Sequence, residues 1–213
     1  AKKTVLIEEP LAAAMGTNLN EADKVGAMVV DIGGGTTDIA VLCDTGVVVS
    51  ESLRIGGDSF NEAIIQYVRR KKKLVIGPLT AEEIKISAGT VDRRSEEREV
   101  EIRGRDVISG LPKIVTLHSL EIQRALESQV MSILEAIKSI LEKTPPELVA
   151  AIGDHGIILT GGGALISGLD RVISRSVGIA AYLVELPRYA VIKGVAKTLD
   201  EMSSLRDTLE DLQ

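Results

Sequence analysis

The 213-residue chain has no tryptophan, one phenylalanine (Phe60) and three tyrosines. Its core therefore has to be aliphatic. A lone cysteine, Cys43, excludes an internal disulfide scaffold. No apolar run approaches the roughly 18 residues of a membrane span. Ala1-Lys2-Lys3 leads into a short apolar run and then Glu8-Glu9-Pro10, which is not a secretory signal. The expected setting is a reducing cytoplasm. A cationic excess is missing too: the net charge of −6 argues against nucleic acid as a partner. What is present, 45% hydrophobic and 26% charged residues, is ordinary for a globular chain and excludes a disordered tail or a collagen-like fibre. The length suits one domain or two small ones.

Residues 4–7 read as an opening strand that makes Glu9 a strand-end carboxylate. Residues 27–31, 38–42 and 46–55 are apolar, β-branched runs separated by turns, the pattern of a three-strand antiparallel meander. Phe60, Ala63, Ile64, Tyr67 and Val68 share one helical face, with Asp58 or Ser59 as cap. That helix ends in Arg69-Arg70-Lys71-Lys72-Lys73, either an anion site or a solvated last turn that suits the negative helix end. A helix over 80–87 with a Thr80–Glu83 capping box follows, then a charged, exposed loop over 92–99 and short strands near 100–102 and 114–117. The spacing of Ile122, Leu126, Val130, Ile133, Ile137 and Ile140 predicts a long amphipathic helix, stopped by Pro145-Pro146. Strand 156–160, helix 164–175, strand 182–184 and helix 190–199 close the pattern, and Met202, Leu205, Leu209 and Leu212 continue an apolar stripe. A meander followed by such alternation implies an α/β mixed sheet flanked by helices.

Two glycine loops carry the chemistry. Asp31-Ile-Gly33-Gly34-Gly35-Thr36-Thr37 lies between two strands, so it is neither a dinucleotide fingerprint nor a P-loop. Side-chain-free amides can converge on an anion, Asp31 can hold Mg²⁺ through water, and Thr36 adds a hydroxyl. The same residues also suit a plain turn. Thr160-Gly161-Gly162-Gly163-Ala164 passes from strand to helix, where α/β sheets bind ligands. The pair of loops favours a nucleotide. Glu9 suits either orienting a water or capping the next helix. His118 and His155 have no ligand spacing around them, and Cys43 reads as buried and inert.

Several segments, in order, resemble the bacterial actins of the MreB type. They are Leu6-Ile-Glu-Glu-Pro-Leu-Ala-Ala-Ala-Met-Gly16, Met28-Val-Val-Asp-Ile-Gly-Gly-Gly-Thr-Thr37, Ile55-Gly-Gly-Asp58, Arg103-Gly-Arg-Asp106, Leu141-Glu-Lys-Thr-Pro-Pro-Glu-Leu148 and Leu159-Thr-Gly-Gly-Gly-Ala-Leu165. The resemblance implies an actin-like (ribonuclease-H-like) fold with ATP or ADP and Mg²⁺ between two lobes. It also implies head-to-tail and lateral self-association into filaments at the inner face of the cell membrane. There they would work with morphogenetic and cell-wall-synthesis membrane proteins to set rod shape. By the same resemblance, Asp31 serves the metal, Gly33, Gly34, Gly35 and Thr36 wrap the phosphates, and Glu9 with Thr36 positions the attacking water. Glu82 and Lys85 lie near the ribose or base, with Gly161, Gly162, Gly163 and Ala164 beside the adenosine. Residues 1–58 and 119–213 would form the nucleotide-binding core of the second lobe, and 59–118 an inserted small α+β subdomain touching the next subunit. The family's first lobe has no counterpart here, so the chain is expected to be inactive alone. The segments 71–73, 76–80 and 188–196 depart from the family pattern.

Two other functions share this superfold. A non-catalytic interaction module would need only half a cleft. A small-molecule kinase would need a substrate-specific acid or base beside the phosphate loop, and none is evident.

Overall fold

The computed structural model describes residues 4, 6–17, 26–43 and 46–210, with side chains as far as residue 200. α1 (Glu9–Gly16) precedes a meander of β1 (Ala27–Ile32), β2 (Thr37–Cys43) and β3 (Gly46–Leu53). Next come α2 (Gly57–Lys71), β4 (Leu74–Val75), α3 (Pro78–Ala88), β5 (Glu99–Asp106) and β6 (Pro112–His118). The chain continues through α4 (Ser119–Lys143), α5 (Pro146–His155), β7 (Ile157–Thr160), α6 (Leu169–Val177), β8 (Ala181–Leu183) and α7 (Ala190–Glu210).

β1 is the pivot of a five-stranded sheet ordered β3-β2-β1-β7-β8. It runs antiparallel to β2, with Asp31 opposite Asp38, and parallel to β7, with Asp31 opposite Thr160. All of β1 is buried, as a strand covered on both faces must be. Met28, Val30 and Ile32 face the larger core with Phe60 and the α4 stripe from Ile122 to Ile140, all buried. Ala27, Val29, Ala40, Leu42 and Ile158 face Ala13 and Ala14 of α1. Small side chains on that second face let α1 lie close to the sheet.

α1 in turn crosses α7 backbone to backbone. A methyl group at Gly16 would collide with the Ala190 carbonyl, and one at Gly194 with the Ala12 carbonyl. β4, β5 and β6 form a separate three-stranded antiparallel sheet. Its inner residues Leu74, Ile102 and Leu117 join the larger core, so buried apolar packing runs unbroken from one sheet to the other.

Local chemistry moved several expected boundaries. Thr4, Leu6 and Ile7 belong to no strand; Leu6 is 94% exposed, without a ladder partner among the described residues, and Val5 lies outside them. Glu9 is accordingly the first residue of a helix rather than the end of a strand, with Pro10 in its first turn. The cap of α2 is Gly56, whose N–H donates to Ser59 Oγ (3.0 Å), so Ser59 bonds back to the cap from the third helical position instead of being the cap itself. α3 begins at Pro78 with Gly77 as cap, and the Thr80–Glu83 box does not form because both residues are already helical. Pro145-Pro146 ends α4 but also starts the unforeseen α5, since proline suits a first helical turn. Residues 164–175 are not one helix. A short 3₁₀ turn, Gly163–Leu165, is separated from α6 by Gly168, whose φ of +84° no helix accepts. Asp92 is buried and ion-paired rather than looped out into solvent. Cys43 is half-buried rather than buried. In the basic cluster, Lys72 pairs with Glu121 (2.8 Å) and Arg69, Arg70 and Lys71 form the exposed last turn of α2. The side chains of Met202, Leu205 and Leu209, and all of Leu212, lie outside the described residues. No described helix is long and apolar enough to cross a membrane.

Candidate functional site

The parallel pairing of β1 with β7 brings the two glycine loops side by side at the carboxyl ends of adjacent strands. The contact is too close for any side chain but hydrogen. Gly161 (φ +83°) sits against Asp31 and the Ile32 carbonyl, and a methyl at Gly163 would strike Ile32. The first loop is a tight hairpin in which Gly33 N–H donates to Thr36 O (2.9 Å). The start of α2 fixes its far side: Gly57 N–H donates to Gly33 O (3.0 Å) and Asp58 N–H to Gly34 O (2.8 Å). Thr37 Oγ1 donates to Ile55 O (2.7 Å). The carbonyls are thus consumed by the protein, while Gly34 and Gly35 stay exposed at the tip.

Behind the tip, Asp31 is 4% exposed, and its Oδ1 has no hydrogen-bond partner among the described residues. Thr160 Oγ1, across the β1–β7 pair, is likewise buried and unpartnered. Burial pushes the Asp31 carboxyl up to about 6, with Glu9 and Asp38 adding negative potential and the Thr160 hydroxyl opposing. Glu9 therefore belongs to the same electrostatic site. It projects from the start of α1 and is exposed. No described cluster of three or more acids, histidines or cysteines is arranged as a metal cage. A cation beside Asp31 would keep most of its water or take oxygens from a ligand, the habit of Mg²⁺. Two buried oxygens without a partner among the described residues, a side-chain-free cradle and a buried carboxylate with Glu9 and Asp38 nearby form a donor set that fits a hydrated magnesium ion carried by phosphates.

The second half of the site is a cleft of about 340 Å³. Glu82, Lys85 and Ile86 of α3 line one wall, and Gly162, Gly163 and Arg188 belong to the other. Lys85 Nζ donates to Gly57 O (3.0 Å) and to Glu82 Oε2 (2.7 Å), and Asn61 Nδ2 donates to the same Glu82 oxygen (2.7 Å). Lys85 leads these contacts in holding the Glu82 carboxyl below its usual range, with Arg188 adding at longer reach. Lys85 thus ties the cleft to the α2 start that grips the first glycine loop. Ala164 is buried and does not line the cleft.

Of the site residues named from the sequence, all but the buried Ala164 lie in or between these two adjoining zones. Asp31, Gly33–Thr36 and Glu9 lie in the first, Glu82 and Lys85 in the second, and Gly161–Gly163 between them. Thr160 and Arg188 were missed. Thr160 holds the place in β7 that Asp31 holds in β1, and that parallel was readable. Arg188 lies in a segment that departs from the family pattern, and its only signal was a cation before the last helix.

Comparison with known proteins follows the same outline. The family model "MreB/Mbl protein" matches residues 1–207. The cell shape-determining protein MreB of Escherichia coli (strain K12) is 48% identical over 200 residues, 94% of this chain and 58% of that protein. The cell shape-determining protein Mbl of Bacillus subtilis (strain 168) is 45% identical over 204 residues, 96% of this chain and 61% of that protein. The chain thus spans about three fifths of the length of the curated relatives it matches. Among solved structures, MreB 5 of Spiroplasma citri bound to AMPPNP superposes with a TM-score of 0.89 at 33% identity, covering 98% of this chain and 62% of the other. The same protein bound to ADP gives a TM-score of 0.91 over 95% of this chain and 62% of that one. The MamK double helical filament, at 24% identity and a TM-score of 0.76 over 91% of this chain and 58% of the other, shares the actin-like fold.

Proposed function

The chain belongs to the MreB/Mbl family, and from that premise we propose that it is the second, ATP-binding lobe of a bacterial actin that polymerises into filaments setting cell shape. The observation that carries this reading is the meeting of two glycine loops, at the ends of two parallel strands, around a buried Asp31 whose Oδ1 has no hydrogen-bond partner among the described residues. Its context is a family of cell shape-determining proteins and a related MreB seen with AMPPNP and with ADP. For the whole protein, this reading extends to filament assembly at the inner membrane face and work with cell-wall-synthesis membrane proteins. Within it, residues 59–118 serve as the small subdomain that meets the next subunit.

Each residue then has a task. The exposed amides of Gly34 and Gly35, with the Thr36 hydroxyl, bind phosphate oxygens, since the Gly33 and Gly34 carbonyls are already turned away into bonds with α2. Asp31 and Thr160 hold the water shell of Mg²⁺. When bound, the ion neutralises charge on the phosphates. Glu9, exposed on the same side of the sheet as Asp31, orients water for attack together with Thr36. Lys85 and Glu82 face the adenosine across the 340 Å³ cleft from Arg188 and the second glycine loop.

All of these donors approach from one side. Phosphoryl transfer needs donors around all equatorial oxygens of the transferred group, so this chain by itself has negligible ATPase activity and weak nucleotide affinity. Calorimetric titration of Mg-ATP into the chain tests the one-sided site, and micromolar binding would overturn it. In the complete coding sequence, Glu9→Ala is expected to slow ATP turnover with modest loss of ATP binding, because a water-orienting group acts mainly in the transition state. Unchanged turnover would remove Glu9 from that role.

A further inference from the structure

A buried carboxylate outside the glycine loops holds two segments of the chain together. Asp92 is 2% exposed. Arg175 grips it as a fork, with Nη2 donating to Oδ1 (2.7 Å) and Nη1 to Oδ2 (3.2 Å). Arg171 Nε donates to Oδ2 (2.9 Å), and the Arg94 N–H to Oδ1 (3.1 Å). Backbone contacts run alongside: Val91 N–H (3.0 Å) and Thr90 Oγ1 (3.1 Å) both donate to Ser167 O. Gly168 can only be glycine, because a methyl there would run into Asp92 Cβ and its φ is +84°.

The joined segments are the two walls of the cleft. Residues 89–98 follow α3 and contribute Gly89 and Arg98; residues 162–168 precede α6 and contribute Gly162 and Ser167. Past that end of the cleft, a second hollow of about 170 Å³ continues from it, sharing Gly89, Arg98 and Ser167. Just before Gly89, in the last turn of α3, Lys85 ties the helix to Gly57. Both moorings thus hold the carboxyl end of α3, and the rest of the helix is held by apolar contacts of Ala81 and Ile84, which are non-directional. Charge-assisted, forked hydrogen bonds fix distance and angle where such packing does not.

We propose that the Asp92–Arg171–Arg175 clamp sets the width of the cleft between α3 and the second glycine loop, making Asp92 a positioning residue for the adenosine end of a bound nucleotide. The ligand's identity rests on the function proposed above; the fixed separation of the walls does not.

The test is a cross-cleft distance. Spin labels at Glu83 on α3 and Lys193 on α7, both exposed, are placed in a Cys43→Ser background, and a control pair on α4 sits at Ser128 and Glu142. Asp92→Asn is expected to broaden the cross-cleft distribution and shift it to longer distance while the α4 pair stays sharp. Arg175→Lys, which keeps the charge but loses the fork, gives a smaller shift in the same direction and carries the test if Asp92→Asn does not fold. ADP affinity, followed by the amide signals of Gly162 and Gly163, is expected to fall about tenfold in Asp92→Asn. An unchanged cross-cleft distribution in a folded variant overturns the clamp. A widened cleft with unchanged ADP affinity upholds the clamp and overturns its role in positioning the nucleotide.

Discussion

Asp31 and Asp92 are both buried carboxylates, 4% and 2% exposed, and they have opposite surroundings. Asp31 has an oxygen facing no donor, and burial lifts its carboxyl to about 6. Asp92 is met by two guanidinium groups, Arg175 foremost, and held well below the usual carboxylate range. A buried charge with every oxygen occupied is a joint: its energy is settled within the fold. A buried charge with an oxygen left open is unfavourable in the folded chain until something outside supplies the missing partner. Burial alone would have put the two residues in one class. The inventory of their partners separates structure from function.

The largest effect should come from breaking the joint. Asp92→Ala is expected to destabilise the chain by about 2–3 kcal/mol in urea unfolding. That is less than a fully interior pair would lose, because Arg171 and Arg175 stay 51% and 41% exposed and can return to water. A loss below half a kilocalorie would mean that the joint holds nothing. The opposite sign is expected at the open site. Asp31→Asn removes an unpaired charge and should stabilise the ligand-free chain by about 1–2 kcal/mol at pH 7, while abolishing any dependence of ATP binding on Mg²⁺. If Asp31→Asn destabilised the chain, its carboxylate would have a partner in the fold and the contrast would fail.

Acid sharpens the same contrast. Asp31 has a folded pKa of about 6 against a reference of 3.8. Its penalty is complete above pH 6 and fades as the pH falls toward 4, so the advantage of Asp31→Asn should vanish over that window. Asp92 is shifted the other way. Its contribution is intact throughout that window and is lost only as the pH falls below the 3.8 reference. Paired thermal melts of the two variants at pH 7, 5 and 4 read both trends. The smallest effect belongs to an exposed pair near the joint: Arg93→Ala breaks the contact to Glu127 (3.1 Å) and should change stability by less than about 0.5 kcal/mol.

The sequence disclosed what depends on local periodicity. The face of α2 from Phe60 to Val68, the α4 stripe and the meander were readable because each sits on a repeat of 3.6 or 2. Both glycine loops and Asp31 were readable because three adjacent glycines exceed what a hairpin turn requires. Features set by distant partners were hidden. Asp92 lies in a charged run that suggests solvent, and its arginines are 79 and 83 residues away. The break before α6 follows from the close approach of Gly168 to Asp92, and no periodicity records such an encounter. Thr4, Leu6 and Ile7 belong to a run with a strand's composition but have no neighbour to pair with among the described residues. Lys85 was placed by family resemblance, yet its bond to Gly57 O, which links the cleft to the phosphate loop, exists only in three dimensions.

The crossing of α1 and α7 bears on Glu9 through simple leverage. Gly16 and Gly194 let the two backbones touch at Gly16 and at Ala12 of α1, and Glu9 stands about 10 Å up the same helix from Gly16. A tilt of about 10° at the crossing would swing the Glu9 end by about 2 Å at that radius. That is enough to carry a carboxylate out of hydrogen-bonding reach of a water. The absence of two methyl groups in that crossing thus fixes where an acidic side chain stands on the opposite end of the helix.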